Sequence, residues 1–159
     1  MSNGYADNPG VVAPPPLIYG LPLAAGWYMN RRDPFPVMPA EYAEYAWWIG
    51  GALIAVGIVL GVSAFVQFLR KHTAVMPYRP TTAIIRSGPF RITRNPVYLA
   101  MTLGYIGAAL MLNTMWALLV LPLVLLVVHR GVIMREERYL EQKFGDEYNT
   151  YKVSVRRWI

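Results

Sequence analysis

The chain has 159 residues, 55% hydrophobic and only 15% charged, with a net charge of +6 and no cysteine. A chain this short has no way to hide so much apolar surface in a water-soluble core, where about 25% charged residues is usual, so the class is membrane protein with room for one domain. The absent cysteines exclude disulfides, thiolate nucleophiles and cysteine-bound metal, and the two histidines, His72 and His129, are too few for a structural metal.

Residues 1–13 are polar, then small and apolar, and read as a loose tail. No Lys or Arg precedes residue 31, so a secretory signal peptide is not expected. Residues 14–29 are apolar but rich in Pro and Gly. The triple proline starts a helix and Pro22 should kink it, giving a short or broken first membrane helix. A proline-rich loop over 30–45 leads to Ala46–Leu69, the clearest transmembrane helix, in which only Ser63 and Gln67 are polar. Arg70 and Lys71 end it.

Residues 70–96 carry six basic side chains, no acid and four prolines. Within this loop, Gly88-Pro89 and Asn95-Pro96 are turn signals. Val97–Val128 is then apolar over 32 residues, too long for one crossing, and Asn113-Thr114 at its middle resolves it into a hairpin of 97–112 and 115–128. The second arm should run on beyond the bilayer to Phe144, with Gly145 as its stop. The basic, aromatic stretch from Asp146 to Ile159 is expected to lie at the membrane interface. The expected fold is therefore an all-α integral membrane protein with about four transmembrane helices, a cytoplasmic extension and an interfacial tail.

Charge fixes the expected orientation. Residues 1–69 carry two basic and four acidic side chains, residues 70–159 thirteen and five. The positive-inside rule puts the 70–96 loop, the tail and both termini in the cytoplasm, in a bacterial inner membrane. Trp27, Trp47, Trp48 and Trp116 then form a belt on the opposite side. Basic residues that flank lipid-embedded runs imply an anionic lipid or small-molecule partner rather than nucleic acid.

On a regular helical wheel His129 stacks over Glu136 and Arg130 over Glu137, while Ile133, Glu137, Leu140 and Phe144 share an apolar face. Glu137 on a buried face needs a partner, and the nearest donors are in the Arg86–Arg94 loop. Arginines from the loop and carboxylates from the helix, meeting at one membrane face, suit a zwitterionic ligand.

Gly88-Pro-Phe-Arg-Ile-Thr-Arg-Asn-Pro-Val-Tyr-Leu99 resembles the Gly-Pro-aromatic-Arg…Arg-(His/Asn)-Pro-x-Tyr-Leu motif of the isoprenylcysteine carboxyl methyltransferase and phospholipid methyltransferase families. Arg135–Tyr151 is similar to their second signature, Glu-Glu-x-x-Leu…Phe-Gly-x-x-Tyr-x-x-Tyr, and the pair occurs in the family's order. The resemblance implies a methyltransferase using S-adenosylmethionine. It implies a cofactor pocket lined by Gly88, Pro89, Phe90, Arg91, Arg94, Asn95, Pro96, Tyr98 and Leu99 from one side and by Glu136, Glu137 and Leu140 from the other. Glu137, Arg94, His129 and Tyr98 are the implied catalytic residues, with His129 and Glu137 the candidate bases. No metal is implied. Asn95 stands where the carboxyl methyltransferases often have His. The implied partners are membrane lipids and a lipophilic methyl acceptor bearing a carboxylate, amine or phenol. Residues 1–69 match no motif and fall to the substrate side, and residues 70–159 form the cofactor core of a single domain. A membrane reductase using a nicotinamide cofactor and a non-catalytic lipid-binding protein are the alternatives.

Overall fold

A computed structural model describes residues 8–73 and 79–159. The remainder of the expected tail and loop, 1–7 and 74–78, lies outside the described residues. Among those described, the regular structure is helical. The helices are α1 (Pro15–Arg32), α2 (Ala43–Arg70), α3 (Pro96–Met111), α4 (Met115–Val128), α5 (Met134–Phe144) and α6 (Asp146–Ser154). Short 3-10 turns stand at Ala40–Tyr42 and Gly88–Arg91, and a π turn at His129–Ile133 joins α4 to α5. Two helices are long and apolar enough to cross a bilayer, Ala40–Arg70 with its leading turn and Met115–Phe144. Pro96–Met111 is apolar but shorter.

α1 is not broken. It takes Pro15 in its first turn, where a missing N–H costs nothing, and continues through Pro22. Its 18 residues span about 27 Å, so it is short. It packs mainly on α4 and also on α3. Gly26 lies so close to Ala117 that an added Cβ would sit 2.7 Å from the Ala117 nitrogen. The Thr114 hydroxyl donates to Gly26 O at 3.1 Å beside that crossing.

The α3–α4 hairpin turns through Leu112–Thr114, with Asn113 at φ 46, a conformation that Asn tolerates. Asn113 also fastens the loop after α1. Its Oδ1 accepts from the Val37 and Met38 N–H groups at 2.9 and 3.0 Å, and its Nδ2 donates to Met38 O. Trp116 donates to Asp33 O and stacks edge-on with Phe35. The aromatic residues of the expected belt therefore collect at one end of the bundle, and the arginine loop at the other.

α2 packs along α3 through glycine. A Cβ on Gly50 would meet Gly107 O at 2.5 Å, while one on its neighbour Gly51 meets nothing within 4 Å. Gly50→Ala should therefore destabilise the protein by about 1–3 kcal/mol, because backbone must move. Gly51→Ala is the control, and its thermal midpoint in detergent should match wild type or exceed it.

After Gly145, in a positive-φ conformation, the chain folds into α6. Residues 155–157 then return over the loop that precedes α3, and Trp158 packs against the central core cluster, of which Tyr98, Val128 and Val132 are members. Backbone bonding holds this return: the turn before α3 offers a donor that the tail's Arg156 carbonyl satisfies.

Candidate functional site

Asn95 and Pro96 open α3, so Tyr98 projects from its first turn towards the end of the bundle where α5 leaves α4. There the wide π turn matters. It inserts extra residue into the helical repeat and rotates α5 relative to α4. His129 accordingly does not stack over Glu136. It shares instead a neighbour with Glu137, the Arg157 guanidinium, whose Nη1 lies 3.4 Å from His129 Nε2.

α3, α5, α6 and residues 81–90 line a cleft that opens to solvent. Phe90, Arg94, Asn95, Pro96, Tyr98, Glu136, Glu137 and Leu140, all read from the sequence, line it. Tyr139, Tyr148 and Tyr151 line it too. The two α6 tyrosines stand three residues apart and so share a face. Tyr151 donates to Phe90 O at 2.7 Å, and its ring meets Tyr148 edge-on.

Glu137 is buried at 6% exposure and is the electrostatic centre. Arg157 grips it with both arms of its fork, Nε to Oε1 at 3.0 Å and Nη2 to Oε2 at 2.6 Å. Arg94 Nη1 lies 3.0 Å from Oε1, an ion-pair distance, but off the hydrogen-bond line. Arg94 is itself buried, and among the described residues neither its Nε nor its Nη1 has a hydrogen-bond acceptor. Two guanidiniums thus share one carboxylate, leaving a surplus positive charge at the cleft. Burial, with the Glu137 charge, pushes the Tyr148 hydroxyl up to about 12, and Arg94 opposes this.

Glu136 accepts a 2.6 Å hydrogen bond from the Tyr98 hydroxyl. Its carboxyl, on the part of the helix that the sequence places beyond the bilayer, is pushed up to about 7. Burial is the main cause, the Tyr98 hydrogen bond opposes it, and the Glu137 charge adds to it. The cleft therefore offers an arginine with spare donors and, a short way off, a carboxyl that titrates near neutrality.

Five residues read into the site lie elsewhere. Gly88, Pro89 and Leu99 line a separate apolar groove between α2 and α3. The 3-10 turn at 88–91 sends Phe90 into the cleft and its first two residues towards α2. There Gly88, at φ +59, leaves room for Gln67, which accepts from Ser87 at 2.7 Å. Leu99, one residue beyond Tyr98, is turned about 100° round α3. Arg91 points to solvent. His129 stands behind Glu137 and does not line the cleft. Glu137 is boxed in by two guanidiniums, which leaves Glu136 as the carboxyl suited to accept a proton.

Residues 45–147 match the phospholipid methyltransferase family. The chain belongs to that family of membrane methyltransferases. The match takes in α2, α3, α4 and α5 and stops inside α6, so this family member contributes Arg157 from outside the matched stretch. An uncharacterized protein of Haemophilus influenzae is 44% identical over 63 residues, covering 40% of this chain and all of that one. The cobalt-zinc-cadmium resistance protein CzcN of Cupriavidus metallidurans is 28% identical over 99 residues, 62% of this chain and 45% of that protein. The nickel-cobalt-cadmium resistance protein NccN of Alcaligenes xylosoxydans xylosoxydans is 27% identical over 104 residues, 65% of this chain and 48% of that protein. The chain thus spans about half the length of those two relatives. No solved structure matches it.

Proposed function

We propose that this chain transfers a methyl group from S-adenosylmethionine to a lipophilic acceptor in the membrane. On this reading α1, α2, α3 and α4 all cross the bilayer, and the cleft and both ends of the chain lie on the cytoplasmic side. The observation that carries the proposal is Arg94, whose Nε and Nη1 have no hydrogen-bond acceptor among the described residues, in the lining of a cleft that Glu136 also lines. A zwitterion fits that donor set. Arg94 would take the carboxylate of the cofactor's amino-acid end, Glu136 its ammonium, and the rings of Phe90, Tyr148 and Tyr151 its adenine face.

The cofactor supplies an electrophilic methyl group. The chain supplies binding, orientation and exclusion of water through the aromatic walls. Tyr98 holds the Glu136 carboxyl in place through its hydrogen bond. The α2–α3 groove, separated from the cleft by the Phe68–Phe90 ring pair, gives the acceptor's apolar part a place beside the site.

Calorimetric titration of the purified protein in detergent tests the reading. S-adenosylmethionine and S-adenosylhomocysteine should bind and NADPH should not. Binding of NADPH alone selects the reductase, and binding of none selects a non-catalytic lipid-binding protein.

The same titration has an expected pH dependence. Below about 7 the Glu136 carboxyl is mostly protonated in the free protein. A bound ammonium favours its ionised form, so binding should expel a proton, and affinity should climb with pH up to about 7 and then level off. Glu136→Gln should flatten the profile between about pH 6 and 8 and abolish the proton release seen on changing buffers. A wild-type profile already flat across that range would remove Glu136 from the ammonium site.

A further inference from the structure

Arg157 follows the stretch that the family matches, yet it makes the best-formed ion pair of the cleft. Three bonds set its backbone. The Arg94 N–H donates to Arg156 O at 3.0 Å, the Thr93 hydroxyl to Arg157 O at 3.1 Å, and Asn95 Nδ2 to the same oxygen at 2.9 Å. Asn95, the position that departs from the carboxyl methyltransferase pattern, thus spends its amide on this clasp. The clasp delivers the guanidinium to Glu137 in the planar two-point geometry that a lysine cannot reproduce.

The consequence falls on Arg94. With both oxygens of Glu137 engaged by Arg157, Arg94 is left at ion-pair distance, with two buried nitrogens that have no acceptor among the described residues. Were Arg157 absent, Glu137 would take Arg94 as its own partner, because a buried carboxylate left unpaired is costly, and the surplus positive charge would vanish. We propose that Arg157 is a positioning residue that occupies Glu137 and thereby keeps Arg94 available to a carboxylate in the cleft. This deepens the cofactor reading and rests on it.

The test compares S-adenosylmethionine with its decarboxylated form, which keeps the sulfonium and the ammonium and lacks only the carboxylate. Both are titrated calorimetrically into wild type, Arg157→Ala and Arg157→Lys in detergent. Wild type should prefer the carboxylate-bearing ligand by about tenfold or more, the worth of a charge-assisted pair. Arg157→Ala should lose that preference while still binding the decarboxylated ligand, and Arg157→Lys should fall between. A residue that merely pins the tail would weaken both ligands equally, so an unchanged preference in the variants overturns the proposal, as does a wild type without preference. If Arg157→Ala does not fold, Arg157→Lys reads the same ratio. A wild type that binds neither ligand overturns the cofactor reading itself, and this inference with it.

Discussion

Glu137→Ala should destabilise the fold by about 3–5 kcal/mol, the cost of leaving buried charges without their counterion. Both Arg94 and Arg157 lean on this one carboxylate, which is 6% exposed. Removing it sets two guanidiniums against each other, and the tail that carries Arg157 loses its anchor on α5. The unfolding midpoint in mild detergent measures the loss. Adding Arg157→Ala to Glu137→Ala should cost less than Arg157→Ala costs alone, since residues of one network are not additive. Additive losses would mean that the pair is not coupled.

Arg94→Ala should do the opposite, sparing the fold and removing the ligand. Glu137 keeps Arg157 on both oxygens, so no buried charge is orphaned. What is lost are the two nitrogens that have no acceptor among the described residues. Affinity for S-adenosylmethionine should fall by at least about tenfold, while the unfolding midpoint moves far less than in Glu137→Ala. Wild-type affinity in Arg94→Ala would mean that the carboxylate end of the ligand, if bound at all, is held elsewhere.

Much of the framework was legible in the residues. Val97–Val128 is too long for one crossing and has Asn113-Thr114 at its centre, so the hairpin followed from length and turn chemistry alone. Gly145 stopped α5 as a glycine should. The need of Glu137 for a partner, and Arg94's loop as its source, followed from an acid on an apolar helix face. Three things were not legible, each for a physical reason. Pro22 suggested a break that did not occur: α1 runs through it, and Gly26 lets α4 press close to α1. The π turn left no trace, because α4 is apolar on every side and a uniform stripe carries no phase. Arg157 looked like one more interfacial charge, because only the folded clasp of Thr93, Arg94 and Asn95 brings it to Glu137.

The π turn at His129–Ile133 acts like a slipped thread in a screw. Upstream of it, side chains are indexed to the lipid and to the hairpin; downstream, the same rod is indexed to the cleft. The slip decides which of two adjacent glutamates meets the guanidinium pair and which meets Tyr98. Without it every residue of α5 would turn by about 100°, one position, round the helix axis, so that one glutamate would take the other's place and the second would turn out towards the exposed face. The chemical distinction between Glu136 and Glu137 is thus set by a single wide turn several residues before either of them.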